Sequence, residues 1–398
     1  MTIFDPEPGE LLALPAVDDR AGTYPLAEYR IDQHPIQPNF AYATEGAKAI
    51  IYRLLRVSDG TRWALKVWKD EFRAVSAAAA RESASRLDSL LATPGFPELD
   101  AAIRTTLDQR TDLVRKFPAL DEAVLMKWAG GQTCFDLFQS LPKGQSPEPR
   151  EILRMAREFI DVMVKLEKLQ VTHTDISSGN VSIEVEAAPT GPVGSKRTPS
   201  NVKVQLIDLE DFWREGIQVK TNYTPGYGHP RFSDGASSAT PWGDRYATTI
   251  LLVELLLMHD RALGRMYAGD GLFRGNRESQ EVEPRYEAAI EKLNTLSPSL
   301  ASVFEETWTS SDVEQCKSAS HLRGILFDDG IADRMVQPTV YQGLKDKLEN
   351  FDLRLRLPKL GIGAKAAAAR EMVAYRCPRC KSSTAEKDKF CSNCGSAL

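Results

Sequence analysis

His173-Thr174-Asp175-Ile176-Ser177-Ser178-Gly179-Asn180 is the stretch on which the fold and chemistry of this chain turn, and two others answer it: Ala64-Leu65-Lys66 upstream and Asp208-Leu209-Glu210 downstream. Moving a γ-phosphoryl group asks little covalent chemistry of a protein. It asks for charge compensation, magnesium placement and an aligned acceptor hydroxyl. Asp175 suits the acceptor's proton, and Asn180, at the end of the same loop, suits a magnesium ion through its amide oxygen. Asp208 would hold magnesium across the phosphates. Lys66, in the strand-like run Trp63-Ala64-Leu65-Lys66-Val67-Trp68, would reach the α- and β-phosphates as a cation on a rigid element. Taken singly, a strand lysine is usually solvated and an Asp-Ile-Ser-Ser-Gly run is usually a turn, so order and spacing carry the signal.

The strand lysine, the His-x-Asp-x4-Asn loop and an aspartate flanked by Leu206-Ile207 and Leu209 together resemble the protein-kinase family, over residues from about 42 to 328. The resemblance implies an α+β, bilobal protein-kinase-like fold: an N-lobe of antiparallel sheet plus helix at 39–129 and a mainly helical C-lobe at 130–330. It implies an ATP- and magnesium-dependent serine/threonine kinase of the bacterial eukaryotic-like kind. Lys66, Asp175, Asn180 and Asp208 would be its catalytic residues, and Asn180 and Asp208 its magnesium ligands. Where the family has three glycines over the phosphates, Thr44-Glu45-Gly46-Ala47-Lys48-Ala49 keeps only Gly46, and Lys48 offers a direct charge contact instead. Met126 and Trp128 end the last N-lobe strand, and Ala129-Gly130-Gly131 follows as a hinge whose backbone would meet an adenine edge. Glu82 is the candidate ion-pair partner of Lys66, with Glu71 as the alternative.

Tyr223-Thr224-Pro225-Gly226-Tyr227-Gly228-His229-Pro230 resembles the family's Gly-Thr-Pro-x-Tyr-x-x-Pro stretch, which supports a peptide substrate. Gly243-Asp244-Arg245-Tyr246-Ala247 resembles the start of the family's central helix, whose aspartate ties down the catalytic-loop backbone. Three places depart from the pattern. Leu209-Glu210 replaces Phe-Gly and removes a permissive glycine; Arg231 replaces a glutamate whose arginine partner corresponds to Cys316; Ser177 replaces a phosphate-steadying lysine. Asp208-Leu209-Glu210 and Gly179-Asn180 also resemble small-molecule phosphotransferases of the aminoglycoside and choline kinase type. A pseudokinase scaffold is the reading from a different class.

Outside these motifs, residues 1–38 read as an extended or loosely ordered lead-in, rich in Pro, Asp and Glu. Between Tyr42 and Trp68 alternation predicts two strands joined by Ser58-Asp59-Gly60. Helical spacing predicts helices over 75–91 and 151–169, and the apolar run 250–258 reads as a buried helix. Strands at 181–183 and 202–207 flank a segment dense in Pro, Gly, Ser and Lys, expected to be a hairpin tip.

A net charge of -5 with 26% charged residues carries no basic footprint, so no nucleic-acid partner is expected. The run at 250–258 is too short to span a bilayer, and the first residues carry no secretory pattern; a cytoplasmic protein with no membrane partner is expected. Of six cysteines, Cys377, Cys380, Cys391 and Cys394 form C-x2-C-x10-C-x2-C, whose spacing resembles a short zinc ribbon at 374–398, behind a linker and helix at 331–373. Four thiolates leave no position for water, so the zinc would be structural and the ribbon a recruitment surface. Expected partners are a protein substrate and, from resemblance to some bacterial kinases of this layout, a partner phosphatase or a metal-binding adhesion-type domain protein.

Overall fold

The computed structural model describes residues 4–16, 25–34, 37–46, 48–73, 104–107, 112–186, 201–209, 212–215, 223–232, 239–274, 282–328, 330–336, 375–376 and 383–384. The chain divides into two compact units, Met1–Thr339 and Val340–Leu398. The first is mixed α and β, and every strand pairing among its described residues is antiparallel.

Its larger sheet has seven strands: β1 (Leu11–Pro15), β2 (Leu26–Ile31), β3 (Ala43–Glu45), β4 (Ala49–Arg56), β5 (Arg62–Trp68), β6 (Arg104–Thr106) and β7 (Val124–Lys127), in the order β1-β2-β4-β5-β7-β6 with β3 also on β4. The expected turn closes β4 onto β5: Gly60 takes φ +70°, and Asp59 accepts from Thr61 N at 2.9 Å and from Arg56 Nε at 3.1 Å. Lys66 thus lies on an inner strand, opposite Ile51 on one side and Val124 on the other. Leu54, Trp63, Leu65 and Leu125 fill one face of the sheet. Each large apolar side chain buried there stabilises the fold by about 1.5–3 kcal/mol.

Of the lead-in expected at 1–38 to be extended or loosely ordered, the described residues are extended: β1 and β2 are strands of this sheet, and Leu12, Leu14, Tyr29 and Ile31 enter its core. Tyr52 Oη donates to Phe4 O at 2.7 Å and anchors the segment before them. β1 reads Leu-Leu-Ala-Leu-Pro, with no β-branched residue and a terminal proline, so its propensity for strand is weak and cross-sheet burial decides it.

Helices dominate the rest of this unit: α1 (Cys134–Ser140), α2 (Pro149–Lys168), α3 (Arg245–Leu257), α4 (Glu283–Leu296), α5 (Pro298–Thr309), α6 (Ala319–Asp328) and α7 (Ile331–Val336). The apolar stripe of α2, including Ile152, Met155, Phe159, Ile160, Met163 and Leu166, packs with α3, which is buried at every position from 246 to 257. Thr133 and Asp136 cap the start of α1 reciprocally. Two small sheets are also present among the described residues, β11 (Asn201–Leu206)-β10 (Val181–Glu186)-β8 (Gln132–Thr133) and β12 (Trp213–Arg214)-β9 (Val171–Thr172). Because α7 belongs to this unit, its end lies beyond the boundary expected at 330.

In the second unit, strands Tyr375–Arg376 and Ser383–Thr384 pair antiparallel. The helix expected at 75–91 with Glu82, the hairpin tip, and Cys377, Cys380, Cys391 and Cys394 lie outside the described residues. No helix among the described residues is long and apolar enough to cross a membrane.

Candidate active site

The loop after β9 is held by a single carboxylate from the start of α3. Asp244 Oδ2 accepts from His173 N at 2.6 Å and Oδ1 from Thr174 N at 3.0 Å. Thr174 takes φ +72°, a conformation costly for a β-branched residue, and the two-oxygen grip keeps it there. Burial pushes the Asp244 carboxyl up to about 6, against the opposing pull of His173 and the backbone donors. His173 Nε2 lies 2.8 Å from Ile207 O, so the same loop also touches the residue before Asp208.

Asp175 follows on this rigid base. Its Oδ1 accepts from Thr224 N at 2.9 Å and Thr224 Oγ1 at 2.8 Å, and its Oδ2 accepts from Asn180 Nδ2 at 3.0 Å. Asn180 Nδ2 also donates to Asp175 O at 2.9 Å. Committing the donor end of that amide turns its carbonyl oxygen, the cation-binding end, away from Asp175. Ile207 N donates to Asn180 O at 3.0 Å, so β10 and β11 set Asn180 beside Asp208. Asp208 takes φ +62°, and its Oδ1 lies 2.9 Å from Lys66 Nζ. Lys66 is 8% exposed and carries the ring of Trp68 4.8 Å from its ammonium. Lys66, Asp175, Asn180 and Asp208, scattered over three sequence segments, therefore form one linked site.

The other expected positions are placed less uniformly. Gly46 closes the β3–β4 turn by donating to Ala49 O at 2.9 Å, and an added Cβ would meet only that oxygen, at 3.5 Å. Lys48 is exposed; its carbonyl accepts from Lys69 N at 3.0 Å, while Lys69 Nζ pairs with Glu45 at 2.8 Å and pins the turn to the end of β5. Met126 lies on β7, opposite Ala64 and Arg104. Trp128 N donates to Arg62 O at 3.1 Å, and its ring meets Tyr42 edge-on.

The hinge differs from expectation. Gly130 N–H donates to Gln205 Oε1 at 3.0 Å and Gly130 O accepts from Ser182 Oγ at 2.6 Å, so its backbone groups are committed inside the protein. Gly131 takes φ +83°, where a Cβ would lie 2.0 Å from Ile183 O; it serves packing against β10. Among the described residues, no hydrogen bond is made to the N–H or C=O of Ala129. Gln205 and Ser182 gave no signal along the chain, because both read as ordinary polar positions of alternating strands.

Sequence reasoning also missed Glu254. It is fully buried in α3, where Oε2 accepts from Tyr227 Oη at 2.7 Å and Oε1 from Leu272 N at 2.6 Å and Phe273 N at 3.1 Å. A lone carboxylate inside the run Ile250-Leu251-Leu252-Val253-Glu254-Leu255-Leu256-Leu257 was the available clue. Arg231 ion-pairs with Asp312, and Cys316 is a buried thiol 3.5 Å from Ser310 Oγ. Among the described residues, neither position leaves an unpaired buried charge. No protein-family model and no curated protein matches this chain.

Proposed function

We propose that the chain is an ATP- and magnesium-dependent protein kinase that transfers the γ-phosphoryl group to serine or threonine hydroxyls, on a bilobal protein-kinase-like scaffold. The observation that carries this reading is the junction of Lys66 with Asp208 at 2.9 Å beside an Asp175 whose two oxygens are separately held by Thr224 and Asn180.

The residues fit magnesium and a nucleotide. The amide oxygen of Asn180 and the Asp208 carboxylate, 47% exposed, are hard oxygen donors at the same end of β10 and β11. Bound there, magnesium supplies charge neutralisation across the phosphates. Lys66, fixed on an inner strand, compensates phosphate charge without reorganising, and Ala129 offers a backbone donor and acceptor to an adenine edge. Asp175 accepts the hydroxyl proton as the acceptor oxygen bonds to the γ-phosphorus and the bond to the leaving phosphate oxygen breaks. Thr224 and Asn180 hold the carboxylate in place for that transfer. The spacing of Cys377, Cys380, Cys391 and Cys394 supports a structural zinc in the second unit, as a surface for recruiting a partner.

Mass spectrometry of the full chain with MgATP and a generic basic protein, beside a folded Asp175→Ala control, tests the reading. Phosphate on serine or threonine is expected only with wild type, with transfer at least about a hundredfold slower in the variant. Equal transfer by both proteins sinks the assignment of Asp175. No transfer by either moves the reading to a scaffold, and turnover of a metabolite in place of protein moves it to a small-molecule kinase.

A further inference from the structure

His229 stands one residue before Pro230 and is 2% exposed, between the rings of Tyr246, whose centroid lies 5.3 Å away, and Phe232 at 6.2 Å. Its Nδ1 accepts the Arg231 N–H at 3.1 Å. A neutral ring accepting there carries its proton on Nε2, which faces Ser310 Oγ at 3.1 Å and donates to it. The Ser310 hydroxyl donates in turn to Thr307 O at 2.6 Å. Two residues along, the Arg231 guanidinium pairs with Asp312. Segment 229–231 is therefore stapled at two points to the turn that follows α5, across 81 residues of sequence in each case.

The staple continues to the chemistry. Tyr227 N and Gly228 N both donate to Thr224 O, at 3.0 and 3.3 Å, which makes 224–228 a closed turn abutting His229. Thr224 heads that turn and gives both its N–H and its hydroxyl to Asp175 Oδ1. We propose that His229 is a positioning residue: with Ser310 and the Arg231–Asp312 pair it forms a clasp that fixes segment 223–232 and, through Thr224, the orientation of the Asp175 carboxylate. The proposal rests on the phosphotransfer reading of Asp175.

The test uses the full chain as wild type, His229→Ala, His229→Gln and Ser310→Ala, each checked for folding by circular dichroism. Amide hydrogen exchange of peptides covering 223–232, without nucleotide, reads the clasp independently of activity. Steady-state transfer to a basic protein then separates kcat from the KM for ATP. Loss of the buried hydrogen bond is expected to speed exchange in that segment about tenfold in His229→Ala and Ser310→Ala. kcat should fall by a similar factor, about tenfold, with the KM for ATP unchanged. His229→Gln, whose amide N–H can reach Ser310, should restore most of both. Equal exchange in all four proteins overturns the clasp whatever the transfer assay reads. Altered exchange with undiminished kcat overturns the positioning role. A folded wild type that shows the exchange pattern yet transfers no phosphate overturns the reading of Asp175, and with it the role given to His229.

Discussion

Glu254 is buried in the middle of α3 and receives three hydrogen bonds, yet burial outweighs those donors and pushes its carboxyl from 4.5 up to about 7. A folded-state value above the unfolded one means that the folded protein holds the proton more tightly. The cost of ionising Glu254 is therefore absent below 4.5, grows as pH rises towards about 7, and is fully present above that. A shift of this size corresponds to about 3 kcal/mol, an upper figure for a hydrogen-bonded site. Glu254→Gln keeps an oxygen for Leu272 N and Phe273 N and removes the charge. Its melting temperature should exceed that of wild type by more at about pH 8 than at about pH 5. An equal difference at both pH values would show that Glu254 is not the group that titrates. Asp244 follows the same sign between 3.8 and about 6, but there both oxygens grip backbone N–H groups. Asp244→Asn would turn an N–H₂ towards one of them and should slow transfer by at least about tenfold, read in the same phosphorylation assay.

Between elements, the close approach of β8 to β10 sets the strictest demand. Gly131 needs both a positive φ and the absence of a Cβ, whereas Gly144, at φ +78°, has nothing within 4 Å of the place a Cβ would occupy. Gly144→Ala should cost about 1 kcal/mol of stability, from backbone conformation alone. Gly131→Ala adds an overlap with the Ile183 carbonyl and should cost at least about 2 kcal/mol more, read by urea denaturation. Similar losses in the two variants would mean that β8 moves away from β10 without penalty. The hinge between β7 and α1 is accordingly held from below, by Gln205 and Ser182 on Gly130 and by the fit of Gly131.

On the zinc reading proposed above, the two compact units would rest on different physics. Unit Met1–Thr339 buries its own apolar cores, one under the seven-stranded sheet and one around α2 and α3. A four-cysteine segment as short as 374–398 has little apolar surface to bury, so a bound ion would supply its folding energy. About one zinc per full-length chain is expected by elemental analysis, and none in a chain ending at Thr339 or in Cys391→Ser/Cys394→Ser. Zinc retained after those changes would place the metal elsewhere. Chelation should leave the urea unfolding of the 1–339 fragment unaltered.

Features whose information is local were legible along the chain. The alternation of β4 and β5 about Ser58-Asp59-Gly60 and the apolar stripe of α2 needed no partner to be read, because backbone geometry alone puts alternate or helically spaced residues on one face. The spacing of His173, Asp175 and Asn180 likewise survives in the structure as the Asn180–Asp175 contact within one loop. Contacts between distant segments carry no such imprint. β1 and β2 became strands only because the sheet offered them an edge and a core. Gly130 lost its free backbone groups to Gln205 and Ser182, and Lys66 met Asp208 across 142 residues. Which polar group finds which partner depends on the surfaces that the packed cores bring together and on the cost of leaving a buried donor or acceptor unpaired. Only the folded chain settles those two terms.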